Sequence, residues 1–140
     1  MRFDIPSDLP LVEIDFALIE HVMINLFENA AKYSPPASPI SVSAHYTEEV
    51  LRFTITDLSP PIPAKDRERV FDKFYRIHYA KQTGGTGLGL SICKGIMEAH
   101  GGKIWVEPGQ GQGNEFSFSL PIGKWLPQES EVNEGEDYAG

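Results

Sequence analysis

One cysteine, Cys93, stands alone among 140 residues. That excludes an intramolecular disulfide and any multi-cysteine metal site, and it fits a reducing, cytoplasmic setting. No run approaches the ~18 consecutive apolar residues of a membrane span, and no charged-then-apolar leader opens the chain. Basic residues are scarce: 12 Lys and Arg stand against 20 Asp and Glu, a net charge of −8. None follows Lys124, whereas Glu129, Glu131, Glu134, Glu136 and Asp137 do, so without the tail 15 acidic residues (20 − 5) face 12 basic ones. A balance this mild, without clustered Lys and Arg, argues against nonspecific nucleic-acid binding. There is no GxxxxGK[ST] phosphate loop, no dinucleotide fingerprint after a predicted strand, and no internal repeat.

What is present suits one soluble globular domain, with 41% hydrophobic and 23% charged residues. Residues 1–124 are expected to fold, and residues 125–140 to form an acidic, disordered tail. Leu11 to Ile14 reads as a short strand. From Asp15, a suitable N-cap, Phe16, Ile19, Met23, Leu26 and Ala30 step by three and four, one stripe of a helix that Ser34-Pro35-Pro36 ends. Ile40, Val42 and Ala44, then Leu51, Phe53 and Ile55, alternate with polar residues and predict a hairpin turning at Thr47-Glu48-Glu49. Leu58 to Gly85 is a long connection with a short helix predicted over Ala64 to Val70; connections of this length are usually functional. A second helix is predicted from Gly87 to His100, with Leu88, Ile92, Ile96 and Ala99 along one side and Gly101-Gly102 as its stop. Two closing strands, Lys103 to Glu107 and Glu115 to Leu120, flank a turn at Gly109, Gly111 and Gly113. This order predicts an α/β two-layer sandwich: a mixed, largely antiparallel sheet with helices on one face.

Three segments carry chemistry. At about 100° per residue, Asn25, Glu28, Asn29 and Lys32 share one helical face. Two amides, a carboxylate and an ammonium suit a magnesium phosphate site, although a solvated polar face is the bland alternative. Gly85-Thr86-Gly87-Leu88-Gly89-Leu90 opens the second helix, where backbone N–H groups and the helix dipole favour an anion; a purely structural turn is the alternative. Asp57 ends a strand, where its carboxylate can accept from an exocyclic amine or simply start a turn.

Taken together, the stretch from His21 through Asn25, Glu28, Asn29, Lys32 and Tyr33 to Ser34 resembles the N box of sensor histidine kinases. Phe71-Asp72-Lys73-Phe74-Tyr75-Arg76 resembles their F box, and Gly85 to Leu90 their second glycine box. Order and spacing match over residues 9–121. Leu9 through Tyr33 further resembles the potassium-responsive osmosensing kinases. The resemblance implies the Bergerat-type ATP-binding fold and the catalytic domain of a two-component kinase, with ATP and Mg2+ as cofactors. It also implies a parent protein anchored in the inner membrane, although this fragment itself makes no membrane contact. Asn29 would coordinate magnesium with Asn25, Lys32 would meet phosphate, Tyr33 would lie against adenine, and Asp57 would read the adenine amino group. Ile62 would line the pocket. Phe71, Phe74 and Arg76 would belong to a mobile lid, with Arg76 reaching the terminal phosphate. Gly85, Thr86, Gly87, Leu88, Gly89 and Leu90 would wrap the phosphates, and Glu28 matches a proposed base or polarising carboxylate. Implied partners are a dimerisation and histidine-phosphotransfer domain of the parent and a response regulator.

One motif departs from the family. Its first glycine box, Asp-x-Gly-x-Gly, here reads Asp57-Leu58-Ser59-Pro60-Pro61, with both glycines gone. Proline fixes φ and has no N–H, so nucleotide binding is expected to be weak, and glycine restored at 59 and 61 is expected to tighten it. A degenerate regulatory module of the same fold is therefore the main alternative. An ATP-hydrolysing machine of gyrase or Hsp90 type and an anti-sigma serine kinase are more distant ones. His21, His45, His78 and His100 lack a phosphoacceptor context, and Cys93 is expected to be a buried small apolar residue.

Overall fold

The structure is a computed structural model that describes residues 2–75 and 89–122. Its elements are β1 (Arg2–Asp4), α1 (Phe16–Tyr33), β2 (Ser41–Tyr46), β3 (Val50–Asp57), α2 (Gly89–Ala99), β4 (Lys103–Pro108) and β5 (Asn114–Pro121), with two 3-10 turns at Ala64–Asp66 and Arg69–Phe71. The sheet runs β1-β2-β3-β5-β4, parallel only between β1 and β2. The mixed, largely antiparallel sheet of the sequence reading is thus observed.

Register explains which face is buried. Val42, Ile55, Phe116 and Val106 stand opposite one another, as do Ala44, Phe53, Phe118 and Ile104. Opposed residues share a face, so one face is apolar and takes both helices. The other carries Ser43, Thr54, Ser117 and Trp105 in one row, where Thr54 and Ser117 hydroxyls meet at 2.9 Å.

Asp15 caps α1 as expected, its Oδ1 accepting from the N–H of Leu18 at 3.2 Å. The buried stripe is Ile19, Val22, Leu26 and Ala30. Phe16, the first residue of α1, stays 70% exposed, and Val22 takes the place assigned to Met23. Likewise α2 buries Cys93, Ile96 and Met97, while Ile92 and Ala99 face outward. Gly101 has φ +76 and, with Gly102, returns hydrogen bonds to Glu98 and Met97, the αL stop that glycine permits. His100 ties the helices: its Nε2 accepts from the N–H of Asp15 at 3.0 Å, and its Nδ1 pairs with the carbonyl of Ile96 at 2.9 Å.

Two expectations fail. Leu11 to Ile14 forms no strand, and Leu11 is 94% exposed; the free edge of β2 is already taken by Arg2–Asp4. The helix expected over Ala64 to Val70 is two separate 3-10 turns, because Asp66 turns inward, is buried, and accepts from the Tyr75 hydroxyl. No helix among the described residues is long and apolar enough to cross a membrane.

Candidate functional site

Asp57 closes β3 on the helix-facing side, in line with Leu51, Phe53 and Ile55, and is 2% exposed. Its Oδ1 accepts twice from Ser59, from the backbone N–H at 2.9 Å and from the hydroxyl at 2.5 Å. Directly opposite stands Asn114, equally buried, whose backbone N–H also donates to the carboxylate. Burial raises the Asp57 carboxyl above the usual carboxylate range, and these three donors hold it partly back. Gly113 has φ +78, and a Cβ there would lie 1.9 Å from the carbonyl oxygen of Asp57. Only glycine lets β5 begin so close.

The corner without glycines has its own support. The Asn114 side chain donates from Nδ2 to Ser59 Oγ at 2.8 Å and to the Pro60 carbonyl at 2.9 Å. Its Oδ1 accepts from the N–H of Ile62 at 3.0 Å. One buried amide therefore satisfies three groups of a corner whose prolines cannot donate. The sequence reading did not single out Asn114. Its signal was register: the first polar residue of a closing strand, two places before Phe116, lies across from Asp57.

On α1, Asn25 and Asn29 are half-buried, while Glu28 and Lys32 are exposed. Asn25 Nδ2 donates to the carbonyl of His21 at 3.0 Å, which turns Oδ1 toward the start of α2. A Cβ added to Gly89 would sit 2.7 Å from that oxygen. The second glycine box and the N box therefore meet at Gly89 and Asn25. Lys32 Nζ lies 5.5 Å from the ring centroid of Tyr33, and Tyr33 packs half-buried against the core, as does Leu90. Ile62 is buried in the core beneath the corner.

Phe71 corrects the lid expectation. It is 6% exposed and meets Phe116 edge-on with centroids 6.4 Å apart, so it anchors the segment to the core. Phe74 is 68% exposed with φ +64, and Arg69 covers the Tyr75 ring at 4.7 Å. Arg76, Gly85, Thr86, Gly87, Leu88 and His78 lie outside the described residues. Cys93 is fully buried and its thiol is pushed up to about 12 by desolvation.

Among the described residues no cluster of three or more His, Cys, Asp or Glu could hold a metal. A cation here would rely on amide oxygens, phosphate and water, which suits magnesium's reluctance to dehydrate. The presented Oδ1 of Asn25 fits that role. A groove of about 310 Å³ between α2 and β4, lined by Lys94, Glu98, Gly102, Lys103, Ile104 and Trp105, contains none of these residues.

The sequence profile of a family described as "Histidine kinase-, DNA gyrase B-, and HSP90-like ATPase" matches residues 14–124. The adaptive-response sensory kinase SasA of Synechocystis sp. is 45% identical over 123 residues, 87% of this chain and 32% of that protein. The chain thus spans about a third of the curated relatives it matches. The mycobacterial sensor histidine kinase MprB superposes with a TM-score of 0.77 at 31% identity, over 86% of this chain and 82% of that one. A nucleotide-free catalytic domain of the histidine kinase ThkA gives 0.76 at 36% identity, over 86% and 76%. ThkA has also been solved with the response regulator TrrA, where the match has a TM-score of 0.72 at 32% identity and covers 87% of this chain and 34% of that one. These relatives do not support the narrower likeness to potassium-responsive osmosensing kinases.

Proposed function

The chain belongs to the histidine kinase-, DNA gyrase B- and HSP90-like ATPases, as a histidine kinase catalytic domain, and from that premise we propose how its own residues handle the nucleotide. The adenine end lies at Asp57, whose carboxylate accepts the exocyclic amino group. The phosphate end lies where α1 meets the start of α2. There Asn25 and Asn29 offer amide oxygens to a magnesium ion that neutralises phosphate charge, and Lys32 adds a cation. The observation that carries this reading is the apposition of Asn25 Oδ1 and Gly89, because it joins two motifs 64 positions apart (89 − 25) at a helix N-terminus.

Glu28, exposed on the same face, is assigned the polarising role and Arg76 the terminal phosphate. Tyr33 lies against the base and Ile62 forms the apolar floor, while Phe74 is the exposed aromatic of the lid. Gly85, Thr86, Gly87, Leu88 and Leu90 continue the phosphate wrap from Gly89. The γ-phosphoryl group then passes to a histidine on a dimerisation domain outside these residues, and from there to a response regulator of the kind TrrA is for ThkA. Such transfer depends on positioning and charge stabilisation. The degenerate-module reading keeps one supporting observation, the near-complete burial of an Asp57 that already holds three donors.

Calorimetric titration with ATP, with and without magnesium, separates the two. The kinase reading expects magnesium-assisted binding that Asn29→Ala weakens by about tenfold, roughly 1.4 kcal/mol. Wild type that binds no nucleotide establishes the degenerate module. An unaffected Asn29→Ala removes the metal assignment alone. With a separately supplied dimerisation domain, label should reach that domain's histidine; stable acid-labile label on His21 instead would overturn the transfer route.

A further inference from the structure

We propose that Asn114 is a positioning residue for base selection: acting through Ser59, it holds the Asp57 carboxylate so that Oδ1 is taken and Oδ2 is turned to a 6-aminopurine. This rests on the nucleotide reading above. An ionised carboxylate is acceptor-only, so it welcomes an amino group at purine C6 and repels the lone pairs of a carbonyl there. Discrimination of that kind needs a carboxylate that cannot rotate or find another donor.

The network supplies this in two steps. Ser59 Oγ accepts from Asn114 Nδ2 at 2.8 Å, which fixes the direction of the hydroxyl's single proton. That proton goes to Asp57 Oδ1 at 2.5 Å, beside the backbone N–H of Ser59 on the same oxygen. With Oδ1 doubly occupied, the carboxylate plane is set. Asn114 also binds Ile62 N–H and the Pro60 carbonyl, so the corner that carries Ser59 cannot drift. The Asn114 backbone N–H also donates to this carboxylate, and a buried polar network cross-linked in this way is rigid. The missing glycines are thereby replaced by a side-chain clamp reaching across from β5.

The experiment measures ATP and ITP affinities at equal magnesium; ITP differs from ATP in carrying a carbonyl at C6. Wild type should prefer ATP by about tenfold or more, and Asp57→Asn should abolish the preference. Asn114→Ala should lower the ATP-to-ITP ratio several-fold, mainly by weakening ATP. Ser59→Ala should do the same and carries the test if Asn114→Ala does not fold. The double variant should lose no more than the larger single, since both act through one carboxylate. Equal weakening of both nucleotides by either variant would show a merely structural clamp and overturn the proposal. An unchanged ratio would overturn it as well. Wild type binding ATP and ITP alike sinks this inference while leaving the nucleotide site standing; binding neither sinks both.

Discussion

Removing the Ser59 hydroxyl tests how the first glycine box was rebuilt. In Ser59→Ala the corner keeps its backbone, so the loss is one buried hydrogen bond to a carboxylate and one acceptor for Asn114 Nδ2. A bond to a charged partner contributes about 1.5–3 kcal/mol. Asn114 Nδ2 retains the Pro60 carbonyl, so no further full desolvation penalty follows on that side. Ser59→Gly with Pro61→Gly loses the same bond and adds unfolded-state freedom at two positions, about 0.5–1 kcal/mol each. The double variant should therefore lose about 2.5–5 kcal/mol, a large share of the roughly 5–15 kcal/mol that holds a domain together. At about 4 °C per kcal/mol for this size, Ser59→Ala should melt about 6–12 °C lower. Urea unfolding should show a lower midpoint at unchanged slope. The glycines expected to tighten nucleotide binding would thus remove a member of the clamp and lower stability. A Ser59→Ala variant melting within 2 °C of wild type would show that the 2.5 Å contact contributes nothing, and the reasoning would fail.

Three further outcomes are expected. Because burial raises the Asp57 carboxyl, the native state keeps that proton to higher pH than the unfolded chain, whose Asp titrates near pH ~3.9. Its contribution is therefore most favourable in acid and is lost as pH rises through the folded value, so the stability of Asp57→Asn relative to wild type should increase from pH ~4 upward; a constant difference would refute this. Cys93, fully buried with its thiol pushed up to about 12, should resist alkylation at pH ~8 until denaturant is added, and rapid native labelling measured by mass spectrometry would contradict that. Phe74→Gly relieves a left-handed backbone that costs about 1–2 kcal/mol against about 0.5–1 kcal/mol of added unfolded-state freedom, so it should stabilise the fold by about 0.5–1 kcal/mol, read as a raised urea midpoint.

The sheet was legible because its strands alternate cleanly. Leu51, Phe53 and Ile55, with Phe116, Phe118 and Leu120, define one face whichever strands they pair with. The helix stripes were legible to within a residue or two. Phe16 and Ile92 fit the period yet lie beyond what the sheet covers, and periodicity along one helix cannot say where a neighbouring layer ends. Leu11 to Ile14 had strand character, but pairing depends on a free edge, which is a property of the whole sheet. The N box and glycine turn were readable as motifs, and their meeting at Asn25 and Gly89 was not. Asn114 was missed for the same reason: its work lies across a strand pair, 57 positions from Asp57 (114 − 57).

The strand order has a consequence for how the domain comes into being. β5 lies between β3 and β4, so among the described residues an interior strand of the sheet is the last to leave the ribosome. Until Asn114–Pro121 has emerged, β3 has one free edge, β4 has no neighbour, and Asp57 lacks its partner. The rows of Ile55 with Phe116 and of Phe53 with Phe118 join residues more than sixty positions apart, and contacts of such span slow folding. Meanwhile the open edge of β3 and the apolar face beneath α1 stay available to other chains, a period in which aggregation competes with completion. Truncation before residue 114 should therefore yield no smaller folded unit, and destabilising changes in β5 should lower soluble yield more than their effect on the finished domain would imply.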